Sequence, residues 1–503
     1  MADCSGKIHN FTSKPLMIHL PTNKKMKSLL PLSMLLPAIL FSCRSPESPA
    51  GAGTEFASVS QTDTGKAVSV MFTAYRTTLM ADGEDHTLLR VAVTDSAGRE
   101  IRSAADTIRF YVGGDAILTG TEGQSLPLAT DTAGMEHYVQ LPENGLCHVH
   151  LVAGTTPGKI QVEARVGGLW PGSHEIHTLP AGFEYRTPTR QQLRKSGINP
   201  GRMIGADVSF LPQLEARGRK FYEDGEQKDP LQIMAGHGFN FIRLRIFVHP
   251  EAEGGYSKEG FCGLEQTLHM ARRIREAGME LLLNFHYSDY WADPQRQNKP
   301  LAWKDLDFPA LKDTVKQYTV RVLDALKEQG TPPGMVQVGN EINHGILWPD
   351  GHISHPDQLA GLLIAGTEGV REVFPGVPVM MHVALGGQHE EAVFWFDNMM
   401  ARGVEFDVMG ISYYPRWHGT LDDLKYNLNR LAERYNKPLN VVEYGSFARE
   451  IHEIVFSLPR GLGNGTCAWE PIGFRGGGLF DRNGEITGQM LLYDTLSLKY
   501  LAE

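Results

Sequence analysis

The sequence predicts an all-β sandwich followed by a (β/α)8 barrel, on three observations. Residues 66–186 hold short strand-like segments separated by turn residues. Residues 187–503 alternate apolar strands with helical runs until eight strands have passed. Two of those strands, the fourth and the seventh, end in a glutamate, Glu341 and Glu443. Paired carboxylates at strand C-termini are what a barrel that cleaves glycosidic bonds presents at its open face.

Composition bounds the function. Of 503 residues, 42% are hydrophobic and 21% charged, as in a soluble globular protein. The formal net charge of −10 argues against a nucleic-acid partner and for a neutral substrate. The five cysteines are too scattered for a disulfide framework, and Cys147, Cys262 and Cys467 read as free thiols.

Residues 1–43 read as an export region. Lys24-Lys25-Met26-Lys27 supplies positive charge, and Met26 is the expected start. Leu29 to Phe41 is an apolar core shorter than the about 20 residues that span a bilayer. Leu40-Phe41-Ser42-Cys43 closes it and resembles a bacterial lipoprotein signal, with Cys43 as the lipidated residue. An ordinary secretory signal is the alternative. The expectation is an exported protein held at an outer-membrane or cell surface by its lipid, or else periplasmic or secreted. Residues 44–65, rich in Ser, Pro, Gly, Ala and Thr, read as a flexible tether.

Within the sandwich the expected strands start at Val68, Leu88, Ile108 and Ile160, with turns at Ala81-Asp82-Gly83, Ser96-Ala97-Gly98 and Thr156-Pro157-Gly158. His148, His150, His174 and His177 read as strand-face or loop residues rather than metal ligands. Leu79 to His86 with Val91 to Gly98 resembles the immunoglobulin-like modules attached to bacterial glycoside hydrolases. Such a module would act as a spacer, or bind carbohydrate through Tyr111, Tyr138 or Trp170.

Thr187 to Pro200 reads as the linker. The barrel strands expected are Met203–Val208, Phe241–Phe247, Glu280–His286, Met335–Gly339, Val377–Val383, Phe406–Ser412, Leu439–Glu443 and Gly465–Trp469. Helices are expected over Pro230–His237, Leu264–Ala277, Phe308–Gln329, Glu390–Met400 and Gln489–Tyr500. A doubly wound open sheet is the rival, weakened because no glycine-rich phosphate loop follows the first strand.

Strand ends carry the chemistry. Glycoside hydrolysis needs a proton donor and a second carboxylate, and a separation of about 5 Å makes the second a nucleophile. Glu341 and Glu443 fit these two roles. Asn340 is placed to offer an amide to a sugar hydroxyl, and Arg245 and Tyr413 to hydrogen-bond Glu443 and keep it ionised. Asp207 is either a helix cap or a site residue. His286, His382 and Trp469 complete the strand-end set. Trp291, Trp348, Trp417 and Trp469 fall near strand ends, where flat rings suit sugar stacking, while Trp303 and Trp395 read as core.

More specific motifs follow. Gly205-Ala-Asp-Val-Ser, Arg243-Leu-Arg-Ile-Phe-Val-His-Pro250, His286-Tyr-Ser-Asp-Tyr-Trp-Ala-Asp-Pro294 and Gln297-Asn-Lys-Pro-Leu-Ala-Trp303 resemble glycoside hydrolase family 53. So do Val338-Gly-Asn-Glu-Ile-Asn343, Ile411-Ser-Tyr-Tyr-Pro415 and Trp469-Glu-Pro471. The resemblance covers Gly205 to Tyr500 and implies an endo-β-1,4-galactanase that acts on pectic galactan with retention. It implies Glu341 as acid/base, Glu443 as nucleophile, and substrate contacts from Arg245, His286, Asp289, Trp291, Asn340, Tyr413 and Trp469. Tyr444-Gly445-Ser446 departs from the family pattern. The segments after Glu443 and Trp469 are short, so neither calcium nor any cofactor is expected. The expected partners are galactan and, through the lipid, a membrane; no nucleic acid is expected, and the chain is expected to act as a monomer. The competing functions are a β-mannanase of the same mechanism and a non-catalytic glycan-binding lipoprotein.

Overall fold

Eight parallel strands close into a barrel in the computed structural model, which describes residues 65–96, 98–473 and 478–502. The expected signal, Cys43 and all of the tether but Gly65 lie outside the described residues. The barrel strands are Met203–Asp207, Phe241–Ile246, Glu280–Phe285, Met335–Val338, Val379–Val383, Val408–Tyr413, Leu439–Tyr444 and Gly463–Trp469. They pair in sequence order, and the first closes on the eighth through Met203–Asp207 against Gly465–Trp469. All eight expected strands are present, with ends shifted by a residue or two. The fifth starts at Val379 rather than Val377, just after Pro378, which has no N–H for a ladder.

The helices are amphipathic and lie outside the barrel. Phe308–Gln329 shows how the sequence sets their limits. Asp307 caps it by accepting from Ala310 N at 2.9 Å, Pro309 sits in the first turn, and Gly330 ends it at φ 78°.

The barrel interior is layered. Met203, Phe241, Leu282, Met335, Met380, Val408, Val442 and Cys467, one from each strand, form an apolar floor. Further along the same strands the inward positions turn polar: Asp207, Arg243, Asn284, Gln337, His382 and Ser412, all buried. The transition marks the end of the barrel that can do chemistry.

The N-terminal domain is a sandwich of two sheets. In chain order its strands are Ser69–Ala74, Thr78–Ala81, His86–Thr94, Ile108–Gly113, Ala116–Gly120, Leu128–Thr130, Glu136–Gln140, Leu146–Ala153, Gly158–Val166 and Gly172–Pro180. The first, third, eighth and fifth make one sheet; the second, tenth, ninth, fourth, seventh and sixth make the other. His148 and His150 alternate with buried Cys147, Val149 and Leu151 on one strand, while His174 and His177 are buried. The described cysteines, Cys147, Cys262 and Cys467, are free and buried.

The sandwich, expected as a spacer, is docked on the barrel, and the two form one compact unit. Leu179 joins the hydrophobic core of the barrel. Buried Glu391 accepts from Thr77 N at 2.9 Å and Thr78 N at 3.1 Å. His177 stacks on His344 with ring centres 3.9 Å apart and lies 2.8 Å from His352 Nε2. Tyr75 OH donates to Asp423 at 3.3 Å, and Arg416 Nη2 to Pro171 O at 2.6 Å. The linker adds a short helix, Arg190–Arg194, capped by Thr189 and tied down by Gln192 Nε2 donating to Met400 O at 2.6 Å.

Candidate active site

The fourth barrel strand delivers Glu341 through a tight exit. Gly339 sits at φ 84°, and a Cβ there would stand 2.6 Å from Ile342 Cγ2, so only glycine fits. Glu341 itself is left-handed at φ 49°, a backbone strain of the kind that functional sites retain. Gln297 Nε2 clamps this turn by donating to Asn340 O at 2.9 Å. Ser412 Oγ donates to Glu341 Oε1 at 2.7 Å, and His382 Nε2 lies 2.7 Å from the same hydroxyl.

Glu443 reaches the mouth by a different device. Val442 belongs to the inward floor, so strict alternation would turn Glu443 outward. The ladder to the sixth strand shifts register between Gly410–Asn440 and Ser412–Glu443. That irregularity re-aims Glu443 into the barrel, the use to which bulges beside active sites are put. Tyr444 then faces out and shares a 2.8 Å hydrogen bond with Tyr493 of the last helix.

The two carboxylates meet. One oxygen of Glu341, one of Glu443 and a ring nitrogen of His382 all lie within 4.8 Å of one another. Both His382 nitrogens face protein partners, Ser412 Oγ at Nε2 and Gln337 Nε2 at 3.0 Å from Nδ1. The cluster is therefore a carboxylate pair with an oriented imidazole beside it. A separation of this size suits a nucleophile opposite a proton donor rather than two carboxylates with a water between them.

Electrostatics separate the two roles. Burial pushes both carboxyls above the usual range. Glu341 is pushed up well above it, because the Glu443 charge adds to burial. Glu443 is pulled back by Arg243 Nη1, which donates to its Oε2 at 3.0 Å, and by Tyr414 OH, which donates to its Oε1 at 3.0 Å. The shared proton therefore sits on Glu341 and the charge on Glu443.

Two expected contacts are corrected. Arg245 does not touch Glu443; its Nη1 donates to Glu470 Oε1 at 2.7 Å, and its guanidinium lies 4.1 Å from the Trp291 ring centre and 4.4 Å from that of Phe210. The residue that holds Glu443 is Arg243, which also donates to Asp207 Oδ2 at 2.9 Å and Asn340 Oδ1 at 2.7 Å. Arg243 and Arg245 both point inward, but Arg243 lies one layer nearer the carboxylates. Tyr413 points out into the core, its OH donating to Gly419 O at 3.1 Å, and Tyr414 takes its expected place. Ser412 faces in, so the period of two puts Tyr413 out and Tyr414 in. That parity was the available signal.

The other expected residues cluster around the pair. Asn340 Oδ1 also accepts from Asn284 Nδ2 at 3.0 Å, and Asn340 Nδ2 donates to Ala292 O at 2.9 Å, which fixes the amide. His286 Nδ1 accepts from Ala292 N at 3.0 Å; burial and the two arginines hold its pKa well below the usual value, so it is neutral. Trp291 and Trp469 lie 6.1 Å apart at the mouth. Asp289, two residues before Trp291, accepts from Leu301 N at 2.8 Å. Asp207 is a site residue and also an N-terminal turn anchor, accepting from Ser209 N at 3.0 Å.

Comparison with known proteins separates the same two domains. The family model described as Glycosyl hydrolase family 53 matches residues 203–471. A second model, Glycoside hydrolase family 2 C-terminal domain 5, matches residues 70–175, within the sandwich. An uncharacterized protein of the bgaB 5' region in Niallia circulans is 39% identical over 311 residues, covering 54% of this chain and 83% of that one. A probable arabinogalactan endo-beta-1,4-galactanase A of Aspergillus tubingensis is 35% identical over 248 residues, covering 48% of this chain and 69% of the relative. Among solved structures, the Ignisphaera aggregans GH53 catalytic domain aligns with a TM-score of 0.55 at 31% identity, covering 60% of this chain and 97% of that one.

Proposed function

Because the chain belongs to glycosyl hydrolase family 53, we propose that it cleaves internal β-1,4-galactosidic bonds of galactan, with Glu341 as acid/base and Glu443 as nucleophile. The observation that carries the mechanism is the meeting of the two carboxylates within 4.8 Å. In the first step Glu443 attacks the anomeric carbon while Glu341 gives its proton to the departing glycosidic oxygen. The C–O bond breaks and a glycosyl ester forms on Glu443. In the second step a water attacks that carbon, Glu341 takes its proton back, and Glu443 leaves with the configuration retained. Arg243 and Tyr414 keep Glu443 charged for the attack. Trp469 and Trp291 supply ring faces at the mouth.

The experiment is product analysis on linear β-1,4-galactan beside mannan and cellulose, with Glu341→Ala as control and NMR of the newborn anomer. Mixed galacto-oligosaccharides of retained configuration from galactan alone support the reading. Products from mannan instead would make it a mannanase, inversion would remove Glu443 as nucleophile, and no product at all would leave a glycan-binding protein. The Lys24 to Cys43 pattern supports export as a lipoprotein acylated at Cys43 and held at a cell surface. Palmitate labelling that persists in Cys43→Ala would overturn that anchor.

A further inference from the structure

A cleft of about 710 Å³ lies where the sandwich meets the barrel, lined by Ser69 and Thr94 from one domain and Tyr414, Trp417, Phe447 and Trp469 from the other. It adjoins the catalytic centre without either glutamate lining it. Tyr414, which donates to Glu443, is one of its walls, and so is Trp469. The Tyr414 ring meets Trp417 edge-on with centres 5.9 Å apart. Trp417 follows Arg416, whose Nη2 donates across the junction to Pro171 O. Pro171 in turn follows Trp170, whose carbonyl accepts from Val70 N at 3.2 Å. Each domain thus presents a tryptophan one residue from the hydrogen bond that joins them. Both rings are open: Trp170 is 73% exposed and Trp417 39%. Trp417 lines the cleft; Trp170 does not, but its backbone pairs with that of Ser69, which does. Tyr111 and Tyr138, the other aromatic candidates in the sandwich, are partly covered, Tyr111 by Arg165 at 4.2 Å and by stacking on His137.

We propose that the galactan chain runs from the carboxylates across the domain junction, with Trp417 and Trp170 stacking on sugars beyond those at the cleaved bond. The inference rests on the galactanase reading above. The cleft leads away from the pair past Tyr414 and Trp469, and neither glutamate lines it, so it takes sugars beyond those at the cleaved bond. A pyranose with one apolar face and hydroxyls on its rim fits aromatic rings set between polar walls. The fixed docking of the sandwich makes such a shared site possible, since a ring on a loosely held domain would pay ordering entropy for every sugar bound.

The test uses the whole exported chain and reducing-end-labelled galacto-oligosaccharides. Trp170→Ala is expected to lower kcat/KM on the hexasaccharide about tenfold, through KM. On the trisaccharide, which fills only the positions at the carboxylates, the change is less than twofold. The cut in the hexasaccharide shifts, giving longer labelled fragments if the rings hold the non-reducing side and shorter ones if they hold the reducing side. Trp170→Phe restores most of the loss, and Trp417→Ala acts in the same direction. Equal effects on both lengths, no effect on either, or an unshifted cut would overturn the proposal. Wild-type protein that cuts no galacto-oligosaccharide would overturn the galactanase reading first, and the inference with it. Because Trp170 is a surface ring, an unchanged Tm is expected and separates these outcomes from misfolding.

Discussion

Glu443 and Glu391 are both buried glutamates on the same barrel, yet they do different things. Glu443 is 7% exposed and Glu391 1%, and burial raises the pKa of both. Glu391 lies in the first turn of the helix His389–Ala401 and accepts from the Thr77 and Thr78 amides of the sandwich. Glu443 faces a second carboxylate and one guanidinium. Burial alone therefore marks neither as catalytic. A paired acid and room for a reacting atom make Glu443 a nucleophile, and backbone donors from another domain make Glu391 a clasp.

The comparison breaks most sharply under substitution. Glu443→Gln is expected to lower kcat on galactan on the order of 10⁴-fold or more. Its stability at pH 7 stays equal or rises, because a buried charge beside Glu341 and Asp207 is removed. Glu391→Ala is expected to do the reverse. It leaves two amide donors at the junction unpaired and costs about 2–4 kcal/mol of unfolding free energy. kcat on a trisaccharide stays within a few-fold. Steady-state kinetics beside urea denaturation separates the two, and a large kcat loss with unchanged stability in Glu391→Ala would remove the distinction.

Acidity gives a second, smaller contrast. kcat/KM is expected to be bell-shaped, falling at low pH as Glu443 takes up a proton and at high pH as Glu341 loses its own. Arg243 pulls Glu443 down by charge and by hydrogen bond, and Lys keeps the charge but not the fork that also holds Asp207 and Asn340, so Arg243→Lys moves the acid limb to higher pH and lowers kcat about 10- to 100-fold. The stability slope has a definite sign too. The pair binds a proton more tightly folded than unfolded, because both pKa values are raised above 4.5. Its contribution is thus full below that value and is lost as pH rises through the folded values. Glu443→Gln flattens that slope, and an unflattened slope would assign it to Glu391 or other buried acids instead.

How much of this was legible depends on how each part is determined. The barrel strands were visible because each is a buried parallel strand, a short apolar run bracketed by helices with readable caps. Of the sandwich, only the strands near Val68, Leu88, Ile108 and Ile160 were read. Leu128–Thr130 is an exposed edge strand, and Glu136–Gln140 beside it has a single buried residue, so neither has a buried run to show it. The two glutamates were found by position, but their supports were not. Arg243 and Arg245 share a face and differ only in depth, which depends on barrel stagger rather than on period. The inward turn of Glu443 depends on a register shift that no alternation rule contains. The junction was invisible because its partners, Thr77 with Glu391 and Pro171 with Arg416, are hundreds of residues apart.

The finest contrast lies between neighbours. Tyr413 and Tyr414 carry the same hydroxyl, and only strand parity decides which one meets Glu443. Tyr414→Phe removes a donor from the nucleophile. It is expected to cut kcat/KM about tenfold with the acid limb moving up, since a hydrogen bond that favours the charged carboxylate is gone. Tyr413→Phe removes only the bond to Gly419 O, so it costs about 1 kcal/mol of stability and leaves both pH limbs in place. The pair of variants, read by pH–rate profile and thermal melt, is a direct assay of side-chain direction at the end of the sixth strand. A shifted acid limb in Tyr413→Phe, with none in Tyr414→Phe, would mean that the strand emerges in the other register. The hydroxyl beside Glu443 would then belong to Tyr413, as the sequence motif alone suggested.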